Sequence, residues 1–234
     1  MDLANPPHPP SPWRADLTLR LRHRMVLKVL GISAFMWVFF IGYFYTLRHP
    51  AFPVFQMPIT ELDRLIPFQP QALAAYFSLW LYVGIAPGML LTLREILVYA
   101  LWIAALCVAG LACFYFWPTA VPPSAIDISS HAGFNLLRGV DAAGNACPSL
   151  HVAAATFSAI WIDRLLHHIR TPAALRVFNA LWFAAIVYST LAIKQHVALD
   201  ALAGALLGIA FAALSLRGWT WGDAERKPHE AGLR

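Results

Sequence analysis

Two short polar segments beside long apolar runs carry the residues able to do chemistry: Cys147-Pro148-Ser149-Leu150-His151 and, about 45 residues on, Lys194-Gln195-His196-Val197-Ala198-Leu199-Asp200. Ionisable residues next to a bilayer are costly to keep, which makes each a functional candidate. His196 and Asp200 are four apart, a spacing that puts both on one helix face. A carboxylate that accepts from one ring nitrogen leaves the other with its lone pair, ready to attack phosphorus, and stabilises the cation that forms. His151 can then supply the proton to a departing oxygen. A lone histidine near a helix end is more often structural; the pair of them, with a carboxylate, argues for division of labour.

Pro148 fits the first turn of a helix, so Ser149, Leu150 and His151 are expected in an opening turn whose backbone N–H groups point outward. Such a turn attracts an anion, phosphate above all, and the Ser149 hydroxyl could add a donor. The blander reading is that Ser149 only caps the helix. Cys147 reads as a small residue before Pro148, since no base lies near it in sequence. Cys107 and Cys113 fall inside an apolar run and suit packing, neither a disulfide framework nor a zinc site.

The elements that must hold these residues are membrane helices. Of 234 residues, 59% are hydrophobic and 12% charged, and mean hydropathy is +0.60. A soluble domain carries about 25% charged residues. About 20 apolar residues cross a hydrocarbon core, and six such runs are found, at 26–47, 72–91, 96–117, 150–166, 175–193 and 197–216. They lack the alternation of a lipid-facing strand. The expected fold is all-α, a polytopic bundle of about six transmembrane helices.

Six spans sort the charges. One side takes Arg14, Arg20, Arg22, Arg24, Lys28, Arg94, Arg164, Arg170, Arg176, Arg217, Arg226, Lys227 and Arg234; of the 17 basic residues only Arg48, Arg64, Arg138 and Lys194 fall on the other. By the positive-inside rule both termini are cytoplasmic and both histidine segments face outward. The net charge of +5 therefore reflects topology, with no nucleic acid implied. Residues 1–25 read as a disordered, Pro-rich basic leader, uncleaved; 26–216 as the catalytic membrane domain; 217–234 as a polar cytoplasmic tail. His23, His167 and His168 read as surface residues, and Asp163 and Arg164 as groups that snorkel or pair near the inner end. Gly204 and Gly208 form a G-x-x-x-G suited to close helix packing. The third run ends in Trp117-Pro118, opening an outer loop to about Ala146 with Asp127, His131, Asn135, Arg138, Asp141 and Asn145. Loops longer than about 12 to 15 residues are often functional.

From Tyr115 to Gly208 the chain resembles the type 2 phosphatidic acid phosphatase superfamily, which includes lipid phosphate phosphatases, inositolphosphotransferases of the ceramide pathway and vanadium haloperoxidases. The family's P-S-G-H motif reads Pro148-Ser149-Leu150-His151 here. Its S-R-x-x-x-x-x-H-x-x-x-D motif reads Ser189-Thr190, five residues, His196, three residues, Asp200. The resemblance implies that His196 attacks phosphorus, Asp200 orients it and His151 protonates the leaving oxygen, with no metal or other cofactor. Leu150 in place of Gly, and Trp117-Pro118-Thr119-Ala120-Val121-Pro122, are similar to the inositolphosphotransferase branch. Thr190 replaces the motif Arg, and no K-x-x-x-x-x-x-R-P segment is found. Arg138 and Lys194, the nearest outer basic residues, are nominated with Ser149 and Leu150 to hold the phosphate.

The expectation is a membrane enzyme that hydrolyses or transfers the phosphoryl group of a lipid phosphate ester, through a phosphohistidine at the outer interface of a bacterial inner membrane, on the periplasmic or extracytoplasmic side. Its partners would be the lipid phosphate substrate and membrane lipids. The rival is a non-catalytic phospholipid or anion transporter, or a scaffold, on the same fold.

Overall fold

In hydrocarbon a backbone must satisfy its own hydrogen bonds, so continuous apolar runs fold as helices. The computed structural model describes residues 12–123, 144–219 and 221. Its helices are α1 (Pro12–Arg22), α2 (Met25–Arg48), α3 (Glu61–Leu65), α4 (Leu73–Gly88), α5 (Leu93–Phe116), α6 (Leu150–His168), α7 (Ala173–Ala192) and α8 (Ala198–Ser215). Every apolar run of the sequence becomes one of the six long helices. Four of them, α2, α5, α7 and α8, are long and apolar enough to cross a membrane. The other two differ for local reasons: α4 has 16 residues, and α6 carries Thr156, Ser158, Asp163 and Arg164. The chain is an all-α membrane protein with one small parallel sheet, β1 (Phe55–Gln56) beside β2 (Thr119–Ala120).

The long helices alternate in direction. At one end, Lys28 at the start of α2 donates to the Gly88 carbonyl at the end of α4, and Arg176 at the start of α7 grips Asp163 near the end of α6 through two bonds of 2.7 and 3.1 Å. At the other end, the Ser149 N–H before α6 donates to the Asp200 carbonyl in the first turn of α8, at 2.9 Å. Gln69, ahead of α4, donates to the Ala192 carbonyl at the end of α7. Both histidine segments therefore lie at one end of the bundle.

The hub is α6, which packs on α4, α5, α7 and α8. Its crossing with α8 is backbone to backbone. A Cβ on Gly204 would lie 2.3 Å from the Ser149 carbonyl oxygen, and one on Gly208 would lie 2.5 Å from that of Ala153. The Gly-x-x-x-Gly stripe thus lets the first turns of α6 and α8 meet. Trp161, fully buried, closes the opposite end of this pair by donating from its indole to Ser215 at 2.9 Å.

Within the segment read as a leader, the described residues from Pro12 on depart from expectation. Residues Pro12–Arg22 form α1, where an unordered segment was predicted. Arg20 explains the order: it is buried, donates to Asp16 at 3.0 Å and lies 3.8 Å from the buried Glu95. Glu95 itself closes a capping box with Thr92 at the start of α5, so α1 is tied to a helix start.

Candidate active site

The first motif is positioned by α6 and by the segment leading into it. Pro148 lies outside the helix and Ser149 is its N-cap, accepting from the Val152 N–H at 3.3 Å. This corrects the expectation that Pro148 occupies the first turn. The Ser149 N–H is drawn to the Asp200 carbonyl, which leaves the chain extended one residue longer. Ser149 is fully buried and its hydroxyl caps, as the blander reading had it. Leu150 turns its side chain toward α5, where a Cβ on Gly110 would meet it at 2.4 Å; any role toward an anion falls to its backbone.

The approach to the motif is fixed by two polar anchors. Thr119, in β2, accepts from the Cys147 N–H at 2.7 Å, and its carbonyl accepts from Ala146. Asn145, with φ of 55°, donates to the Tyr43 carbonyl and to Thr46 in α2, both at 3.1 Å. Burial pushes the Cys147 thiol up to about 11, which keeps it protonated and inert. The loop residues Asp127, His131, Asn135, Arg138 and Asp141 lie outside the described residues.

The second motif sits on a turn. His196 precedes α8, which starts at Ala198, so it does not share helical phase with Asp200 as the spacing suggested. Instead Lys194 takes a left-handed conformation, φ 60°, and the Thr190 carbonyl accepts from both Gln195 and His196 at 3.1 Å. The tight reversal between α7 and α8 brings the ring back over the first turn. Its Nδ1 lies 3.1 Å from Asp200 Oδ2, and Asp200 is fully buried.

The two motifs touch. His151 Nδ1 is 3.0 Å from His196 Nε2, and the Tyr76 hydroxyl of α4 is 2.9 Å from His151 Nε2. One proton arrangement gives every contact a donor and an acceptor with both rings neutral. Tyr76 O–H donates to His151 Nε2, His151 Nδ1–H donates to His196 Nε2, and His196 Nδ1–H donates to the Asp200 carboxylate. The result is a relay of four groups from α4, α6, the turn and α8. Trp80 stands edge-on to His151, with ring centroids 6.1 Å apart.

Lys194, nominated for the phosphate, donates to the carbonyls of Asp63 at 2.8 Å and Ile66 at 2.5 Å. Two of its three N–H donors are thus spent on the loop around α3. That loop also supports α8, since Asp63 Oδ1 accepts from the Ala198 N–H at 2.7 Å.

Tyr76 and Asp63 escaped the sequence reading. Tyr76 sits in an apolar run among other aromatics, with nothing to set it apart. Asp63 had a signal: Thr60-x-x-Asp63 is a capping box, and the Asp63 side chain does accept from the Thr60 N–H, at 2.8 Å.

The arrangement can deliver a ring nitrogen as nucleophile, a carboxylate to carry the resulting charge, and a second ring as proton donor. A family model described as PAP2 superfamily matches residues 60–214, which takes in α3, Tyr76 and both motifs. Nothing among curated proteins or solved structures matches the chain.

Proposed function

The chain belongs to the PAP2 superfamily, and from that premise we propose that it is a phosphatase-type membrane enzyme acting on a lipid phosphate ester through a phosphohistidine at His196. The observation that carries this reading is the hydrogen-bonded series Asp200, His196, His151, Tyr76.

In the first step the phosphate displaces His151 from His196, and the His196 Nε2 lone pair attacks phosphorus. The P–N bond forms as the P–O bond to the lipid alcohol breaks. His151, charged by the acidic proton of the arriving phosphate monoester, gives its Nδ1 proton to the alcohol oxygen and is left neutral with its proton on Nε2, while the cationic phosphohistidine keeps its Nδ1–H on Asp200. In the second step water, or another alcohol, gives its proton to His151 and attacks phosphorus, and the P–N bond breaks. In the free site Tyr76 holds His151 in the tautomer that carries the proton on Nδ1, and its oxygen accepts from Nε2–H once His151 is charged. The N–H groups of Leu150 and His151, at the positive end of α6, suit the phosphate charge.

The site belongs at the extracytoplasmic interface. This is supported by the clustering of basic residues at the opposite end of the bundle, where Lys28, Arg94 and Arg176 begin α2, α5 and α7.

His196→Ala in the full chain is expected to abolish phosphate release from every lipid phosphate monoester, and acid-labile phosphate is expected to be trapped on wild-type His196 after a rapid quench. Turnover by the variant would end this mechanism. Phospholipid transport in vesicles without phosphohistidine would favour the transporter reading.

A further inference from the structure

A cavity of about 520 Å³ runs between α2, α4, α5 and α6. It exists because α2 packs loosely, burying only Lys28, Tyr43 and Thr46. One wall is the stripe Gly31, Phe35, Phe39 and Tyr43 of α2; the facing wall includes Trp80 and Gly84 of α4. His151 and His196 line one end. Lys28 lines the other, where its ammonium donates to the carbonyls of Arg20 at 2.6 Å and Gly88 at 2.8 Å, joining α1, α2 and α4 at that end.

The dimensions fit one hydrocarbon tail. Lys28 and Tyr43 are fifteen residues apart on α2, about 22 Å at the helical rise. An extended chain advances roughly 1.2 Å per bond, a third of an extended residue, so about 18 carbons reach Lys28.

The geometry points to a chain-length gauge: the cavity takes a single unbranched tail of up to about 18 carbons, its phosphate at the histidines and its end stopped by Lys28. The identity of the headgroup rests on the phosphoryl-transfer reading above; the tail site rests on the cavity. Bilayer hydrocarbon is as apolar as the cavity wall, so a tail gains little free energy on entering. Discrimination comes from where the channel stops. Gly31 and Gly84 line it, and a Cβ at either would meet nothing within 4 Å, so a large side chain placed there has room to enter the channel. Gly84 is eight residues below Tyr76, about 12 Å or ten carbons down. Gly31 is twelve below Tyr43, about 18 Å or fifteen carbons down.

The test is a series of linear alkyl phosphates from four to twenty carbons, hydrolysed by the full chain in nanodiscs. Each protein is read as its own ratio of long-tail to butyl phosphate kcat/KM, which cancels losses of folded enzyme. The wild-type ratio is expected to fall only beyond about 18 carbons. Gly84→Trp should move the fall to about ten carbons and Gly31→Trp to about fifteen, by at least tenfold in each case. Gly84→Leu should give a smaller shift the same way, and Leu81→Trp, on the exposed face of α4, none. Variant profiles parallel to wild type would overturn the gauge. If the wild type hydrolyses nothing, the phosphatase reading fails and the gauge is judged on binding. Alkyl phosphonates of the same lengths should then raise the wild-type Tm, with the long ones losing that effect in Gly84→Trp; equal shifts in both proteins would refute it.

Discussion

Replacing Gly204 with Ala tests whether the α6–α8 crossing sets the reactive geometry. The new Cβ would stand 2.3 Å from the Ser149 carbonyl oxygen and 3.1 Å from its carbon, against the 3.4 Å where ordinary contact begins. The partner is backbone in the N-cap of α6 and cannot rotate away, so the two helices must part by about 1 Å, the gap between those distances. Overpacking of this kind costs about 1–3 kcal/mol. Alanine returns about 1 kcal/mol through helix propensity, leaving a net loss of about 0–2 kcal/mol. Activity suffers more. The Ser149–Asp200 backbone bond at 2.9 Å and the His151–His196 contact at 3.0 Å both cross the same seam. Misplacement by about 1 Å typically costs about 100-fold in rate. The assay is kcat for phosphate release per folded enzyme in nanodiscs, with folded protein counted by thermal melts of the same preparation. A Gly204→Ala enzyme that is destabilised yet turns over within about threefold of wild type, far short of the 100-fold that misplacement predicts, would refute the idea that this seam sets the site.

Other variants probe the supports separately. Tyr76→Phe removes the hydroxyl that donates to His151 Nε2, and kcat should fall about tenfold, the worth of one hydrogen bond of about 1.4 kcal/mol, with KM little changed. Equal kcat would remove Tyr76 from the relay. Asp63→Ala takes the acceptor from the Ala198 N–H and from the Thr60 cap, and should cost about 1–2 kcal/mol in a denaturation midpoint. An unchanged midpoint would mean that water replaces both bonds. Cys147, with its thiol pushed up to about 11 from 9.0, should resist maleimide at neutral pH and react only as pH rises toward that value. The same sign means that its contribution to stability is present below pH 9 and is lost as pH rises through 11. Rapid labelling at pH 7 would contradict its burial.

Much of this molecule was legible in its residues. Continuous apolar runs gave the helices, since hydropathy and backbone satisfaction point the same way in a membrane. The small residues at 204 and 208 announced a close crossing. The position of His196 was not legible, because a spacing of four implies helical phase only when both residues are helical. Here a left-handed Lys194 and one shared carbonyl produce the contact instead. Tyr76 stayed hidden because a tyrosine in an apolar run looks the same whether its hydroxyl meets a histidine or, like Tyr82, an asparagine. Residues 12–22 misled through composition alone: a basic stretch beside prolines suggested disorder, while the partner of Arg20, Glu95, lies 75 residues away in sequence.

Every tie in the relay except that of His196 with Asp200 joins distant parts of the chain. Tyr76 and His151 are 75 residues apart, His151 and His196 are 45, and Asp63 reaches Ala198 across 135. During biosynthesis the Asp63 carboxylate, already capped with Thr60, must therefore wait for α8 before it can hold the Ala198 N–H. A chain halted after α7 would contain Tyr76 and His151 but neither the turn histidine nor its carboxylate. Reactivity would thus arrive only with α8 and the turn before it, so that chains not yet extended that far pass through the translocon chemically silent.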